Sequence, residues 1–210
     1  MNVQEATTRR LPDLKERHLP ENCRETINTI LKETYGYEQF RNLEIYDDLS
    51  KGKEKLCISQ GQLIENVILE AEKAWKGETQ VDNILLTAPT GSGKSLLFQL
   101  PAIYLGKEYN LLTIVVSPLK ALIVDQVESL QELGYTRVAY ASSDLSPEQK
   151  MEVYRQVREG EIDLFYLSPE LLLSYDIKHF VGERRIGLVV VDEAHTVTTW
   201  GKEFRVDYWF

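Results

Sequence analysis

The residues with the clearest chemical potential form one short segment, Ala88–Ser95, which reads Ala-Pro-Thr-Gly-Ser-Gly-Lys-Ser. Apolar residues flank it at 84–86 and 96–98, so we expect a loop between a buried strand and a helix. Its glycines let consecutive backbone N–H groups point at one anion, and the helix N-terminus adds partial positive charge. The lysine can reach the β- and γ-phosphates of a nucleotide, and the last serine can bind Mg²⁺. The predicted phosphate-binding residues are Thr90, Gly91, Ser92, Gly93, Lys94 and Ser95.

A second segment, Val189–His195, ends a β-branched run with two acids, Asp192 and Glu193. Such a run predicts a central parallel strand that delivers the acids to its carboxyl end, where open α/β sheets bind ligands. Asp192 can bind Mg²⁺ opposite Ser95, directly or through water. Glu193 can polarise the water that attacks a γ-phosphate, which makes it and Lys94 the predicted catalytic residues.

Each segment has a plain alternative when it is taken alone. The first could be a Gly/Ser-rich turn that precedes a lysine, and the second could be two acids that cap a helix. The two segments together predict a protein that binds and hydrolyses a nucleoside triphosphate.

The composition of the chain limits the function classes. Its 210 residues, 43% of them hydrophobic, suffice for one α/β domain with a core and an N-terminal extension. Cys23 and Cys57 lack metal-like spacing and are interpreted as reduced thiols. No stretch suggests a signal peptide or a membrane span. The net charge of −9 argues against non-specific coating of polyanions, but it is compatible with a motor that holds nucleic acid in a local groove.

The order of apolar runs predicts the elements that position these residues. Residues 1–20 are polar and broken by prolines, and a charged, irregular stretch at 42–55 separates two predicted helices at 21–34 and 62–75. From residue 84 onward strands and helices alternate. The predicted strands are 112–116, 138–140, 162–167 and 188–192, and the predicted helices are 119–133 and 148–158.

Short connections between these elements predict a parallel sheet with helices on both faces. The predicted fold class is therefore α/β, a RecA-like P-loop NTPase domain preceded by a helical extension. We expect residues 1–60 to form the lead-in and extension, and residues 61–210 to form the nucleotide-binding domain.

Ser-Pro dipeptides follow two of the predicted strands, at Ser117 and Ser168. Their hydroxyls, the nearby backbone amides and Lys120 are suited to hold a phosphodiester. Two such loops at the carboxyl edge of an ATPase sheet favour a track for a nucleic-acid backbone. The alternative is that both serines are ordinary helix caps, each followed by a proline in the first helical turn.

The terminal segment places aromatic and cationic side chains just beyond the two acids. Trp200 and Phe204 can stack on bases without reading sequence, while Arg205 can meet a phosphate. The alternative is a core aromatic cluster, which we favour for Tyr208 and Trp209.

These motifs resemble the first RecA-like domain of a superfamily-two helicase of the RecQ type. The resemblance covers residue 84 to the end, and an Asp-Glu-Ala-His box followed closely by Trp-Gly-x-x-Phe-Arg-x-x-Tyr carries it. In that family the segment after the box couples contact with single-stranded DNA to ATP hydrolysis, a role that the resemblance assigns to Trp200, Phe204 and Arg205. The family's Cys and Gln in this loop are replaced by Thr196 and Thr199.

The resemblance implies an ATP-dependent DNA helicase that uses Mg²⁺ and moves 3′ to 5′ on single-stranded DNA, in repair, recombination or defence. It also implies a second RecA-like domain, downstream or in trans, and we interpret the chain as a fragment. The expected location is the cytoplasm, at the nucleoid, in a prokaryote, or the nucleus in a eukaryote. Two alternatives stay open: an ATPase motor that acts on RNA or on protein–DNA complexes, and a module that binds nucleotide without turnover.

Members of this family read adenine with a glutamine that follows a Gly-Tyr…Phe-Arg motif. Residues 35–37 and 40–41 match that motif, but Glu44 occupies the expected glutamine position. We interpret the mismatch as an insertion of charged residues that splits the motif. We therefore assign the adenine contact to Gln62, with Gln60 and Gln39 as alternatives.

Overall fold

A computed structural model of the chain describes residues 17–46, 55–86 and 91–194. The chain divides into two compact units, Met1–Tyr104 and Leu105–Phe210, and the boundary falls inside a helix, α3 (Leu96–Tyr109). No helix in the described ranges is long and apolar enough to span a membrane. The predicted functional division at residue 60 stays a prediction.

The first unit contains two amphipathic helices, α1 (Glu21–Tyr35) and α2 (Gln60–Trp75). Each buries one apolar face, which for α1 consists of Ile27, Ile30 and Leu31. The chain leaves α1 through Gly36, which has a left-handed φ of 68° and donates its N–H to the carbonyl of Lys32. Both helices were predicted from their apolar spacing, and the structure confirms them.

A hairpin lies between these helices, where the sequence predicted an irregular stretch. Its strands, β1 (Asn42–Tyr46) and β2 (Lys55–Ser59), pair antiparallel with Asn42 opposite Ser59. The prediction was wrong over β1, because the charged residues that follow it at 47–54 hid the alternation of Leu43 and Ile45 with polar neighbours. The ladder comes from hydrogen bonds between the two strands, which a local hydrophobic pattern does not report.

One carboxylate of α2 holds the chain segments on both sides of the helix. Glu70 accepts hydrogen bonds from Arg17 at 2.6 Å, from Lys73 at 3.0 Å and from the backbone N–H of Asp82 at 2.9 Å. Burial raises the pKa of Glu70, but these hydrogen bonds outweigh burial and leave its pKa below the usual value. Glu70 therefore stays ionised and connects Arg17, Lys73 and the backbone of Asp82 within the first unit.

The apolar triplet before the predicted phosphate loop does not form the expected buried strand. Residues 81–86 belong to no sheet in the described part of the chain, and Leu85 is 83% exposed. Three apolar residues match the pattern of a strand, but a strand also needs a neighbouring ladder for its N–H and C=O groups. The prediction of a strand at 84–86 was therefore wrong.

The second unit alternates strands and helices as predicted. In chain order its elements after α3 are β3 (Leu112–Val116), α4 (Lys120–Glu132), β4 (Val138–Ala141), α5 (Pro147–Arg158), β5 (Leu164–Leu167), α6 (Pro169–Ser174), α7 (Ile177–Val181) and β6 (Ile186–Val191). The four strands form one parallel sheet in the order β4-β5-β3-β6. All of their carboxyl ends therefore lie at the same edge.

The core of the second unit is centred on β3 and β5, every residue of which is buried. Burial along a whole parallel strand means that both faces of the sheet are covered. Phe165 of β5 packs among aromatic rings from the helices, including Tyr154 and Phe180, whose centroids are 5.1 Å apart. The α/β fold class with a parallel sheet is thus confirmed.

A charged network around the buried Asp163 lies at the opposite, amino edge of this sheet. Asp163, which is 2% exposed and directly precedes β5, accepts hydrogen bonds from Arg137 at 2.6 and 2.8 Å and from Arg184 at 3.0 Å. The Tyr135 hydroxyl donates a further bond at 3.0 Å. The hydrogen bond to Asp163 raises the pKa of Arg137, whereas burial lowers that of Arg184. The network therefore connects three residues, Arg137, Asp163 and Arg184, that lie just before β4, β5 and β6.

Candidate functional site

The predicted phosphate loop lies directly before α3. Gly91 and Gly93 both adopt a left-handed φ of 79°, a backbone conformation that glycine reaches without steric cost. The carbonyls of Lys94 and Ser95 accept the first hydrogen bonds of the helix, at 3.0 Å from the N–H of Leu97 and 2.9 Å from that of Gln99. The loop thus ends at a helix N-terminus, which favours an anion. Thr90 lies outside the described residues.

A glutamine from α2 contacts this loop. The side-chain Nε2 of Gln60 donates hydrogen bonds to the carbonyls of Ser92 at 3.3 Å and Gly93 at 3.5 Å. A Cβ atom at Gly93 would lie only 2.7 Å from Nε2, so a side chain at this position would collide with Gln60. Gln60 is 3% exposed, and its amide therefore forms part of the inner wall of the loop.

Gln60 is 19 residues beyond Arg41 in the sequence, but the hairpin between them brings the two residues into contact. The N–H of Gln60 donates to the carbonyl of Arg41 at 2.9 Å, and the N–H of Arg41 donates back to Oε1 of Gln60 at 3.1 Å. β1 and β2 therefore form an insertion that closes at its base and returns the chain to Arg41. The sequence signal for this contact was the interrupted motif, which spacing alone did not connect to Arg41.

The other two candidate glutamines occupy different positions. Gln62 lies in the first turn of α2, where its carbonyl accepts a hydrogen bond from Asn66 at 2.8 Å. Gln39 is exposed and lines a surface cleft beside α1 together with Lys32 and Phe40. Gln60 donates two hydrogen bonds to the phosphate loop. The assignment of the adenine contact to Gln62, with Gln60 and Gln39 as alternatives, stays a prediction.

A planar group and a cation flank the base of the hairpin. The guanidinium carbon of Arg41 lies 5.9 Å from the centroid of the Tyr37 ring, and Tyr37 stacks on Tyr35 with centroids 6.4 Å apart. The backbone N–H of Arg41 also binds Gln60, whose amide contacts the phosphate loop. An aromatic face, a guanidinium and an amide are therefore connected through Arg41. These are the groups that hold a purine base by stacking and hydrogen bonding.

The two predicted acids follow β6 in a turn. The N–H of Asp192 donates to the carbonyl of Val116 at 2.9 Å, and Oδ1 of Asp192 accepts the N–H of Glu193 at 2.9 Å. Glu193 has a φ of 50°, which costs a non-glycine residue about 1–3 kcal/mol. Such strain recurs at functional sites. His195 lies outside the described residues.

The oxygen chemistry of Ser95 and Asp192 fits Mg²⁺, which prefers hard oxygen ligands and few carboxylates. The described residues contain no group of three or more His, Cys, Asp or Glu side chains that could hold a metal ion by themselves. A magnesium ion that also binds substrate phosphates needs no such cage. Ser95 belongs to the first unit and Asp192 to the second.

The Ser-Pro loops lie at the carboxyl ends of β3 and β5, as predicted. Neither serine uses its hydroxyl to cap the helix that follows. α4 begins after Leu119, and the Ser168 side chain makes no capping hydrogen bond in α6. The Ser117 hydroxyl is buried without a hydrogen-bond partner among the described residues. Each serine is only 2% exposed, so neither hydroxyl faces solvent in this structure.

A third loop at the same edge was not singled out from the sequence. Residues 142–144, Ser-Ser-Asp, follow β4, and Lys120 contacts both Ser143 and Asp144. A polar triplet directly after a predicted strand was the available signal. Trp200, Phe204 and Arg205, the predicted base-stacking and phosphate contacts, lie outside the described residues.

Comparison with known protein families matches the chain to a helicase family. The DEAD/DEAH box helicase family matches residues 62–209. The chain is 30% identical over 183 residues to the ATP-dependent DNA helicase RecQ of Haemophilus influenzae, with 87% of the chain and 24% of the relative covered. It is 33% identical over 187 residues to the RecQ helicase of Synechocystis, with 88% of the chain and 32% of the relative covered. The chain therefore spans less than a third of the length of these relatives.

A solved structure has the same fold. The DUF1998 helicase MrfA, crystallised with DNA and AMPPNP, matches with a TM-score of 0.52 and 22% sequence identity. The match covers 86% of this chain and 22% of MrfA. It supports the RecA-like α/β architecture that the strand order indicates.

Proposed function

Because the chain belongs to the DEAD/DEAH box helicase family, we propose that it is the ATP-binding part of a RecQ-type DNA helicase. In this proposal it binds and hydrolyses ATP and contacts single-stranded DNA, and the whole protein moves 3′ to 5′. The names of the similar RecQ helicases support DNA as the partner. A second RecA-like domain, downstream or in trans, would complete the helicase.

The observation that carries the proposal is the conformation of the phosphate loop. Two glycines with φ of 79°, a helix that starts at once and the Gln60 amide against the loop form a cradle for a charged ligand. Lys94 would bind the β- and γ-phosphates as a point charge. Gln60, Tyr37 and Arg41 would hold the adenine, and Gln62 is the alternative for the adenine contact.

The acids after β6 would perform the hydrolysis. Ser95 and Asp192 would each offer an oxygen ligand to Mg²⁺, which would supply positive charge to offset that of the phosphates. Glu193 would accept a proton from the water whose oxygen attacks the γ-phosphorus, while the bond from phosphorus to the bridging oxygen of ADP breaks. The hydrogen bond from the Glu193 N–H to Oδ1 of Asp192 helps to orient the Asp192 carboxylate within the turn.

The loops at the carboxyl edge of the second unit would contact DNA. Lys120 and the backbone around Ser117 and Ser168 would hold phosphates, which sets the register of the strand without reading its sequence. Trp200 and Phe204 would stack on bases, and Arg205 would contact the DNA backbone. Because only a short span of chain separates these residues from Glu193, DNA binding would influence the hydrolysis of ATP.

The test is a Lys94→Ala substitution in the intact protein. We expect DNA-stimulated ATP hydrolysis to be lost and ATP binding to weaken, because the phosphates lose their point charge. Lys107→Ala, in the last turn of the helix α3 that follows Lys94, is the matched control and should retain wild-type turnover. Turnover of Lys94→Ala at the wild-type rate would overturn the ATPase assignment, and stimulation by RNA but not by DNA would replace the DNA helicase with an RNA motor.

A further inference from the structure

Two loops at the carboxyl edge of the second unit are joined by an ion pair. Nζ of Lys120, the first residue of α4, lies 2.9 Å from Oδ1 of Asp144 in the loop after β4. The same Nζ donates a hydrogen bond to Oγ of Ser143, and this hydroxyl donates to Oδ1 of Asp144 at 3.2 Å. One carboxylate oxygen is therefore held by an ammonium group and a hydroxyl.

A second lysine flanks the same loop. Nζ of Lys150, in the second turn of α5, donates a hydrogen bond to the carbonyl of Ser143 at 3.4 Å. The hydrogen bonds from Lys120 and Ser143 lower the pKa of Asp144, and the charges of both lysines lower it further. Asp144 is thus an anion between two cations and a hydroxyl, and these groups could equally hold the oxygen of a phosphate.

Solvent reaches this ion pair from outside. The Lys120 side chain is 45% exposed and that of Asp144 is 69% exposed. Exposed ion pairs contribute little to folding stability, so stability alone does not account for the arrangement. The loop itself has a separate anchor, because the N–H of Asp144 donates to Oγ of Ser142 at 3.3 Å. The carboxylate can therefore leave Lys120 without unfolding the loop.

We infer that the Asp144 carboxylate occupies a backbone-phosphate site formed by Lys120, Ser143 and Lys150, and that a bound single strand displaces it. Asp144 then sets the affinity of the site for nucleic acid, because every phosphate that binds must break the ion pair. This inference rests on the proposed DNA contact of Lys120, and it adds the loop after β4 to the binding surface.

The test measures binding of a fluorescent oligothymidylate to the intact protein by anisotropy, without nucleotide and over a range of salt concentrations. Asp144→Asn keeps the size of the side chain but removes its charge, and we expect affinity to rise roughly threefold. Glu132→Gln, at the far end of α4, removes the same charge away from Lys120 and should leave affinity unchanged. In a variant that already carries Lys120→Ala, adding Asp144→Asn should not increase the affinity for the oligothymidylate.

Lys120→Ala alone should weaken binding and reduce the slope of log K against log salt concentration by about 0.7. The inference is overturned if Asp144→Asn binds no tighter than Glu132→Gln, or if its gain persists without Lys120. If neither the wild type nor Asp144→Asn binds DNA while the Lys94-dependent ATPase is intact, the DNA contact fails together with the inference. If the wild type binds and Asp144→Asn gains nothing, the inference alone fails.

Discussion

The side-chain amide of Gln60 covers Gly93 so closely that a methyl group at Gly93 would lie 2.7 Å from its Nε2 atom. The same side chain accepts the N–H of Arg41 through Oε1. One amide therefore connects the base of the hairpin to the loop proposed to hold phosphates. A nucleotide bound to that loop would touch a wall whose position depends on Gln60.

Replacing Gln60 should weaken ATP binding more than replacing Gln62. Gln60→Ala removes the hydrogen bonds to Ser92 and Gly93 and the proposed adenine contact, so we expect affinity to fall roughly tenfold, about 1.4 kcal/mol. Gln62→Ala, two residues further along α2, is the control and should bind ATP nearly normally. Titration of a fluorescent ATP analogue measures both, and a larger loss in Gln62→Ala would return the adenine contact to that residue.

Glu193→Gln should separate ATP binding from hydrolysis. The amide keeps the size of the side chain and the backbone conformation at φ 50°, but it cannot accept a proton from water. We expect ATP affinity near the wild-type value and a turnover lower by about 10²–10⁴-fold. Glu183→Gln, an exposed residue before β6, should leave turnover unchanged. Loss of binding with a normal rate per bound ATP would make Glu193 a ligand or a structural residue.

Trp200 and Arg205 should couple DNA binding to hydrolysis. Trp200→Ala removes a stacking face worth about 1–3 kcal/mol per base, and Arg205→Ala removes a phosphate or base contact. Since neither residue belongs to the phosphate loop, ATP affinity should stay normal while DNA-stimulated ATPase and unwinding fall. Assays of ATPase with and without single-stranded DNA measure this effect. A variant with full DNA stimulation and only a lower melting temperature would identify a core residue.

The parts of the fold that the sequence predicted are those with a strong local pattern. β3 was predicted residue for residue, because a buried strand of Leu, Thr, Ile and Val carries its own hydrophobic signal. α5 was predicted within one residue, and its N-terminus is fixed by a capping box between Ser146 and Gln149. The hairpin was missed because its two short strands flank a charged stretch and are recognised by their pairing with each other, which no single window of sequence reports.

The candidate site shows the same limit. Gly91, Gly93 and the acids after β6 are recognisable from spacing because each occupies a turn that local sequence determines. The contact between Gln60 and Arg41 was not predicted, since it depends on how the hairpin closes. The contact between Lys120 and Asp144 joins loops after different strands, and no spacing rule reports such a pair.

The amino-edge network should matter for stability rather than for chemistry. Asp163→Asn leaves Arg184, whose side chain is buried, without its charge partner, so we expect a loss of about 3–5 kcal/mol in the free energy of unfolding. Glu152→Gln breaks an exposed ion pair with Arg155 on α5 and serves as the control, with little change expected. Urea denaturation compares the two variants. Equal effects in both would show that burial of the Asp163 network contributes nothing.

Glu70 should make the stability of the chain depend on pH in the acidic range. Its pKa is lowered in the folded chain, so its stabilising contribution is complete above the usual pKa of glutamate, about 4.3, and is lost as the pH falls through the lowered folded value. We therefore expect Glu70→Gln to be less stable than the wild type by about 1–3 kcal/mol at neutral pH, since Arg17 and Lys73 lose a charged partner. Urea denaturation at a series of pH values should show this difference shrinking below about pH 4.3. Glu78→Gln, on the exposed turn after α2, should show no such trend, and a pH-independent difference for Glu70→Gln would mean that packing, not charge, is what Glu70 supplies.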